Sequence, residues 1–212
     1  MGKSSRLEGR KAKAEALASE HKKAERRTTL LWRVGLLVLV VALIVGVVFA
    51  VKVSRPKTVS EEDLRSRVTT STDLARNHTT KPVEYKQFPP VGGDHNPNWQ
   101  NCGGYAKAIP EELGVHSLEH GAVWITYDPS LPADQVAKLT ALVATHPFLL
   151  LTPYPGLKSP IVLSAWGVQL SVDSADSPDI PAFLKLYEQG PQTPEPGSAC
   201  TGGTGTPTVK SA

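Results

Sequence analysis

Met1 is the only methionine in the 212 residues, and Cys102 and Cys200 are the only cysteines. A soft copper(I) site draws on several thioether or thiolate donors, so a methionine-rich site of that kind is excluded. The chain also lacks a phosphate loop, a dinucleotide fingerprint and a serine nucleophile elbow. The familiar devices for holding nucleotides or activating a serine are therefore missing. Positive charge is scarce in the C-terminal part: from Pro82 onward six Lys face twelve Asp/Glu, a net charge of −6. Nucleic-acid binding needs a basic face to displace phosphate counterions, so no nucleic-acid partner is expected.

The positive charge lies at the other end. Residues 1–29 carry nine Lys/Arg against four Glu. An apolar stretch over 30–51 follows, with 18 uncharged residues from Val34 to Val51. At helical rise that run spans about 27 Å, close to the hydrocarbon thickness of a bilayer. Trp32 and Arg33 suit one interface, Lys52 and Arg55 the other. The long polar segment before the run, its length and the lack of an Ala-x-Ala site argue for an uncleaved anchor rather than a signal peptide. The basic side should stay in the cytoplasm, which places the rest of the chain outside the plasma membrane. The expected organisation is a cytoplasmic tail over 1–29, a transmembrane helix over 30–51 and a stalk over 52–81. A folded extracytoplasmic domain over 82–200 and a flexible tail over 201–212 complete it.

Within that domain, residue patterns predict elements in the order strand, helix, strand, strand, helix. Val83–Phe88 reads as a short entering strand and Ala122–Asp128 as a buried one. Residues 132–146 carry Val136, Leu139, Leu142 and Val143 at helical spacing, and Pro147 stops them. Phe148–Tyr154 and Ser159–Leu170 read as strands, the second with a candidate bulge at Gly167. Asp179–Gln189 reads as a helix ending at Gly190. The fold class implied is α+β, a mixed sheet with helices on one face. Before the domain, residues 61–68 read as a short surface helix and His78 as a solvated stalk residue.

The chemistry is concentrated between Val91 and Asp128, which holds three of the six histidines, Cys102 and most of the Gly, Asn and Asp loops. His116 and His120 are four apart, so on one helical turn they share a face and can chelate one ion. His95, after Gly92-Gly93, is the expected third ligand. Asp94, Glu119 and Tyr105 are the expected partners that orient the ligand rings. Neutral imidazole suits copper(II) or zinc. The string His116-x-x-Glu119-His120 also matches a metalloprotease pattern, but there it lies inside a long helix, and here Gly121 and a β-branched strand follow at once. Three function classes stay open: a metal-binding module, a protein-interaction or structural module whose His and Asn bond to backbone, and a metal-dependent hydrolase. His146, at a helix end, is expected to act as a C-terminal cap.

Cys102 and Cys200 invite a disulfide that would pin the tail onto the site region, and an oxidising compartment favours it. The other reading makes Cys102 a thiolate ligand beside the histidines.

The runs PPVGGDHNPNWQNCGGY and PEELGVHSLEHGAVWITYDP resemble a bacterial, mainly actinobacterial family, domain of unknown function 3105. The resemblance covers about Val83 to Cys200 and extends to the single N-terminal anchor. It rests on Gly92, Gly93, His95, Cys102, Gly103, Tyr105, His116, Glu119, His120 and Gly121. It implies a membrane-tethered extracytoplasmic domain of a bacterial envelope and supplies no reaction; for polar loops that form a partner-facing surface, an envelope protein is the expected partner.

Overall fold

The computed structural model describes residues 32–47, 49 and 58–212. The basic tail over 1–29 and the start of the expected stalk, 52–57, lie outside the described residues. Residues 32–47 form helix α1 in the centre of the apolar run. Among the described residues no helix is long and apolar enough to cross a membrane, and both ends of the run lie outside them. The second compact unit, from Lys57 to Ala212, carries the rest of the fold.

That unit begins well before Pro82. Helix α2, Glu61–Arg67, is capped by the Ser60 side chain, which accepts from Asp63 N at 3.1 Å. Acidic residues fill its first turn and Arg65 and Arg67 its last, matching the helix dipole. Its i,i+4 ion pairs are exposed and screened by solvent, so they add little to stability. The anchor is Leu64, 1% exposed within the main core, together with the ion pair from Arg67 to Asp179 on another helix. Residues 58–81 are therefore part of the folded unit, where a polar stalk was expected.

Among the described residues the sheet has seven strands. Strand β3, Val123–Tyr127, helix α4, Ala133–Val143, and strand β4, Leu149–Pro153, form a parallel β-α-β unit. Strands β5, Ile161–Ala165, and β6, Val168–Val172, pair antiparallel beside β3. The expected single strand over Ser159–Leu170 is thus a hairpin. Trp166-Gly167 makes a two-residue turn in place of the expected bulge, with Gly167 at φ +72°, a conformation that costs glycine little. Three short strands complete the sheet: β1, Thr69–Thr70, lies on β6 at one edge, β2, Gly103–Gly104, lies on the outer side of β4, and β7, Val209–Lys210, lies on β2 at the other edge, giving the order β1-β6-β5-β3-β4-β2-β7. Val83–Phe88 forms no strand; Val83 N instead donates to Glu112 and the Tyr85 hydroxyl to Asp94 O.

Alternation along β3 and β4 sends side chains to both faces. Val123, Ile125, Leu149 and Leu151 meet Leu64, Leu139 and Val143 of the helices, with Ile180, Phe183 and Leu184 of helix α5, Asp179–Tyr187. Trp124 and Leu150 point the other way, where Val115 and Leu118 of helix α3, Glu111–Glu119, cover them with Trp166 and the two cysteines. Helices on one face were expected, but a fully buried tryptophan on the second face demands a second cover.

Cys102 and Cys200 are bonded, with Cα atoms 5.3 Å apart. Beyond them the tail is fixed: Asn101 Nδ2 donates to Gly205 O at 2.7 Å, Gly203 N donates to Asn101 Oδ1 at 2.8 Å, and β7 closes the sheet edge. Residues 201–212 are held by these backbone and side-chain bonds rather than forming a free tail.

Candidate metal centre

Helix α3 and the loop before it build the site. Gly114 lets α3 approach the sheet, since a Cβ there would stand 2.7 Å from Trp124 Cζ3. His116 and Glu119 are three apart and share one helical face. The helix then stops: His120 is its C-cap, and Gly121, at φ +94°, turns the chain directly into β3. Burial of this end fixes the side chains that project from it.

The loop brings His95 alongside. His95 Nδ1 donates to Gly93 O at 2.7 Å, and His116 Nδ1 donates to Asn96 O at 2.6 Å. Each bond commits Nδ1 as the protonated nitrogen of the neutral ring and leaves the Nε2 lone pair free. A backbone bridge pairs His78 with His95: Thr79 N donates to His95 O, and His95 N to Asn77 O. His78, His95, His116 and Glu119 each offer a ligand atom, and the four atoms lie within 4.8 Å of one another. His95 is fully buried, His116 and Glu119 nearly so, while the His78 side chain is 48% exposed.

One contact in this group is out of place for a metal-free hydrogen-bond network. His95 Nε2 stands 2.8 Å from Glu119 Oε2, yet it has no hydrogen-bond partner of acceptable geometry. A neutral ring with its proton on Nδ1 sets two acceptors face to face. A cation shared between the two atoms would resolve that conflict. Burial, and then the neighbouring rings of His120, His95 and His78, push the His116 imidazole down to about 4, although its bond to Asn96 works the other way. His116 is therefore neutral at pH 7, the form that binds a metal. A tetrahedral ion with bonds of 2.0–2.1 Å holds its ligand atoms about 3.4 Å apart. The His95–Glu119 and His78–Glu119 separations, 2.8 and 3.9 Å, bracket that value. The ring bonds to main-chain carbonyls also supply the outer support that metal-ligating histidines use.

The residues expected from sequence are only partly assembled here. His95 and His116 belong to the group, and Glu119 offers an oxygen to it instead of orienting a ring. His120 lies beside it, its ring centroid 4.6 Å from that of His116. Both its nitrogens look elsewhere: Nδ1 donates to Ala199 O at 2.7 Å, and Nε2 is 3.5 Å from Glu195. Asp94 accepts from Asn77 N and Nδ2, so it holds the His78 segment and not a ring. The Tyr105 hydroxyl donates to Asn101 O, away from the histidines. His146 pairs with Glu188 at 2.5 Å. The member of the group that sequence reasoning passed over is His78. No periodicity marks its segment, and only the long-range bridge to His95 brings it in.

Comparison with known proteins gives one result. No curated protein and no solved structure matched the chain. Residues 77–202 match the family described as "Protein of unknown function (DUF3105)", a span that starts one residue before His78 and ends just after Cys200. The chain, with its three-histidine, one-glutamate cluster inside that span, belongs to this family.

Proposed function

We propose that this protein is a single-pass membrane protein of the bacterial envelope. Its C-terminal unit, outside the cytoplasm, binds one transition-metal ion, copper(II) or zinc, through His78, His95, His116 and Glu119. The observation that carries the metal reading is the buried His95 Nε2 facing Glu119 without a proton-sharing geometry, inside a group of four donors. Three imidazoles and one carboxylate form a borderline-to-hard set that suits these ions. Both cysteines are tied up in the disulfide, so no thiolate competes for the assignment. The apolar run, its basic flank and the disulfide support the membrane and extracytoplasmic part.

The test is elemental analysis of the full chain purified in detergent, beside His95→Ala and Glu119→Ala variants. Near-stoichiometric zinc or copper in the wild type, lost in both variants, is the expected result. No bound metal after incubation with both ions would overturn the reading. His120 gives the structural alternative its one specific support, because its ring ties α3 to the Ala199 backbone.

A further inference from the structure

Resting on the metal reading, we propose that His78 is a displaceable ligand and that a small anion from solvent takes its place. The four donors are not equivalent. His95 and His116 each have one ring nitrogen fixed by a backbone carbonyl, and both rings are buried. Glu119 is equally buried, and its backbone carbonyl accepts from Glu195 N at 3.1 Å, which pins its end of α3. These three form a rigid base of two imidazoles and one carboxylate, a donor set known from zinc sites that keep one coordination position for an exogenous ligand.

His78 differs in every respect. Its side chain is 48% exposed, its Nε2 stands 3.9 Å from Glu119, and no backbone carbonyl holds its ring among the described residues. The main chain around it is nevertheless fixed. Asn77 is tied to Asp94 through both its backbone and side-chain nitrogens, and the bridge to His95 holds residues on either side. The ring can therefore leave the group by side-chain rotation alone, without moving the backbone. It stacks on His116, with centroids 4.9 Å apart and ring planes at 22°, a contact that gives it a defined resting place. Of the four donors, the half-exposed ring is the one open to solvent. An anion is the fitting occupant, because two neutral imidazoles and one carboxylate leave a divalent ion with a net positive charge.

The experiment uses copper(II)-loaded full chain in detergent, with metal content measured by elemental analysis and azide as the probe anion. Azide should add a ligand-to-metal absorption band to the wild type and shift its paramagnetic resonance spectrum. His78→Ala should retain about one equivalent of copper and bind azide roughly tenfold more tightly, since no ring competes for the position. His95→Ala should lose the metal. If His78→Ala loses its copper as fully as His95→Ala, His78 is an obligatory ligand and the inference fails. It fails equally if both copper-loaded proteins ignore azide. A wild type that takes up no copper or zinc at all would instead remove the metal reading beneath it.

Discussion

His95 Nε2 and Glu119 Oε2 face each other at 2.8 Å across the sequence separation between a loop and a helix end, with no hydrogen bond between them. In Glu119→Gln the amide can turn its NH2 toward the His95 lone pair and make a bond worth about 0.5–1.5 kcal/mol. The metal-free variant should therefore melt at a higher temperature than metal-free wild type. Its metal affinity should fall by roughly ten- to a hundredfold or more. Calorimetric titration and thermal melting of the same samples read both effects. A variant less stable than wild type without metal would contradict the opposed-acceptor geometry.

Acid should weaken the metal-free protein through His116. Its folded-state value is pushed down to about 4 from an ordinary 6.5 by burial and by its neighbours His120, His95 and His78. The unfolded chain therefore binds the extra proton first as pH falls. This contribution is fully present above about pH 6.5 and is lost progressively down to about pH 4, to an upper bound of about 3 kcal/mol. Denaturant unfolding at several pH values should show that slope, and His116→Gln should flatten it. An unchanged slope in the variant would assign the acid sensitivity elsewhere.

Gly114→Ala sets two effects against each other. Alanine favours a helix over glycine by about 1 kcal/mol. The new Cβ, however, would stand 2.7 Å from a fully buried Trp124 ring, and overpacking of that kind costs about 1–3 kcal/mol. The clash should win. Thermal melting should show a net loss, and metal affinity should drop as well because α3 carries His116 and Glu119. A stabilised variant with unchanged affinity would mean that α3 can shift freely on the sheet.

The order of elements from β3 to α5 was legible, apart from the hairpin of β5 and β6 that was expected as one strand, because apolar periodicity and proline or glycine stops act locally. What escaped depended on distant partners. Leu64 is a single apolar residue in a polar segment, and only the core it enters reveals it. His78 looked solvated for the same reason. The pair His116 and Glu119 could be read from helical spacing, whereas His120, equally well spaced, is diverted by a carbonyl 79 residues away. Tail residues rich in Gly and Thr suggested freedom, yet Asn101 bonds Gly203 and Gly205 across more than 100 positions.

Truncation gives a direct check on that lesson. A fragment beginning at Pro82 loses Leu64, strand β1 and His78 together. Loss of a buried leucine alone costs about 2–5 kcal/mol. The fragment should unfold at markedly lower denaturant than one beginning at Lys57, as followed by circular dichroism. Equal midpoints would show that 57–81 adds nothing to the fold.

Breaking the disulfide should act on stability first. Cys102→Ser/Cys200→Ser removes a link across 98 residues, and losses of about 2–5 kcal/mol are typical for such bonds. Ala199, whose carbonyl holds His120, would lose its tether with it, so the His120 resonances should change in nuclear magnetic resonance spectra. Unshifted His120 signals would mean that Glu195 at the ring, and the Gln189 amide that donates to the His120 main-chain carbonyl, hold this residue without the tether.

The sheet's two unequal layers have a further consequence. The larger apolar layer, with three helices, lies on the face away from α3 and the histidines. Substitutions among the four donors therefore fall on the thinner side, which a covalent bond reinforces. Under the metal reading, selection can vary the ion or its exposed position there while the opposite layer continues to specify the fold. Chemistry and foldability are thus free to evolve on separate sides of one seven-stranded partition.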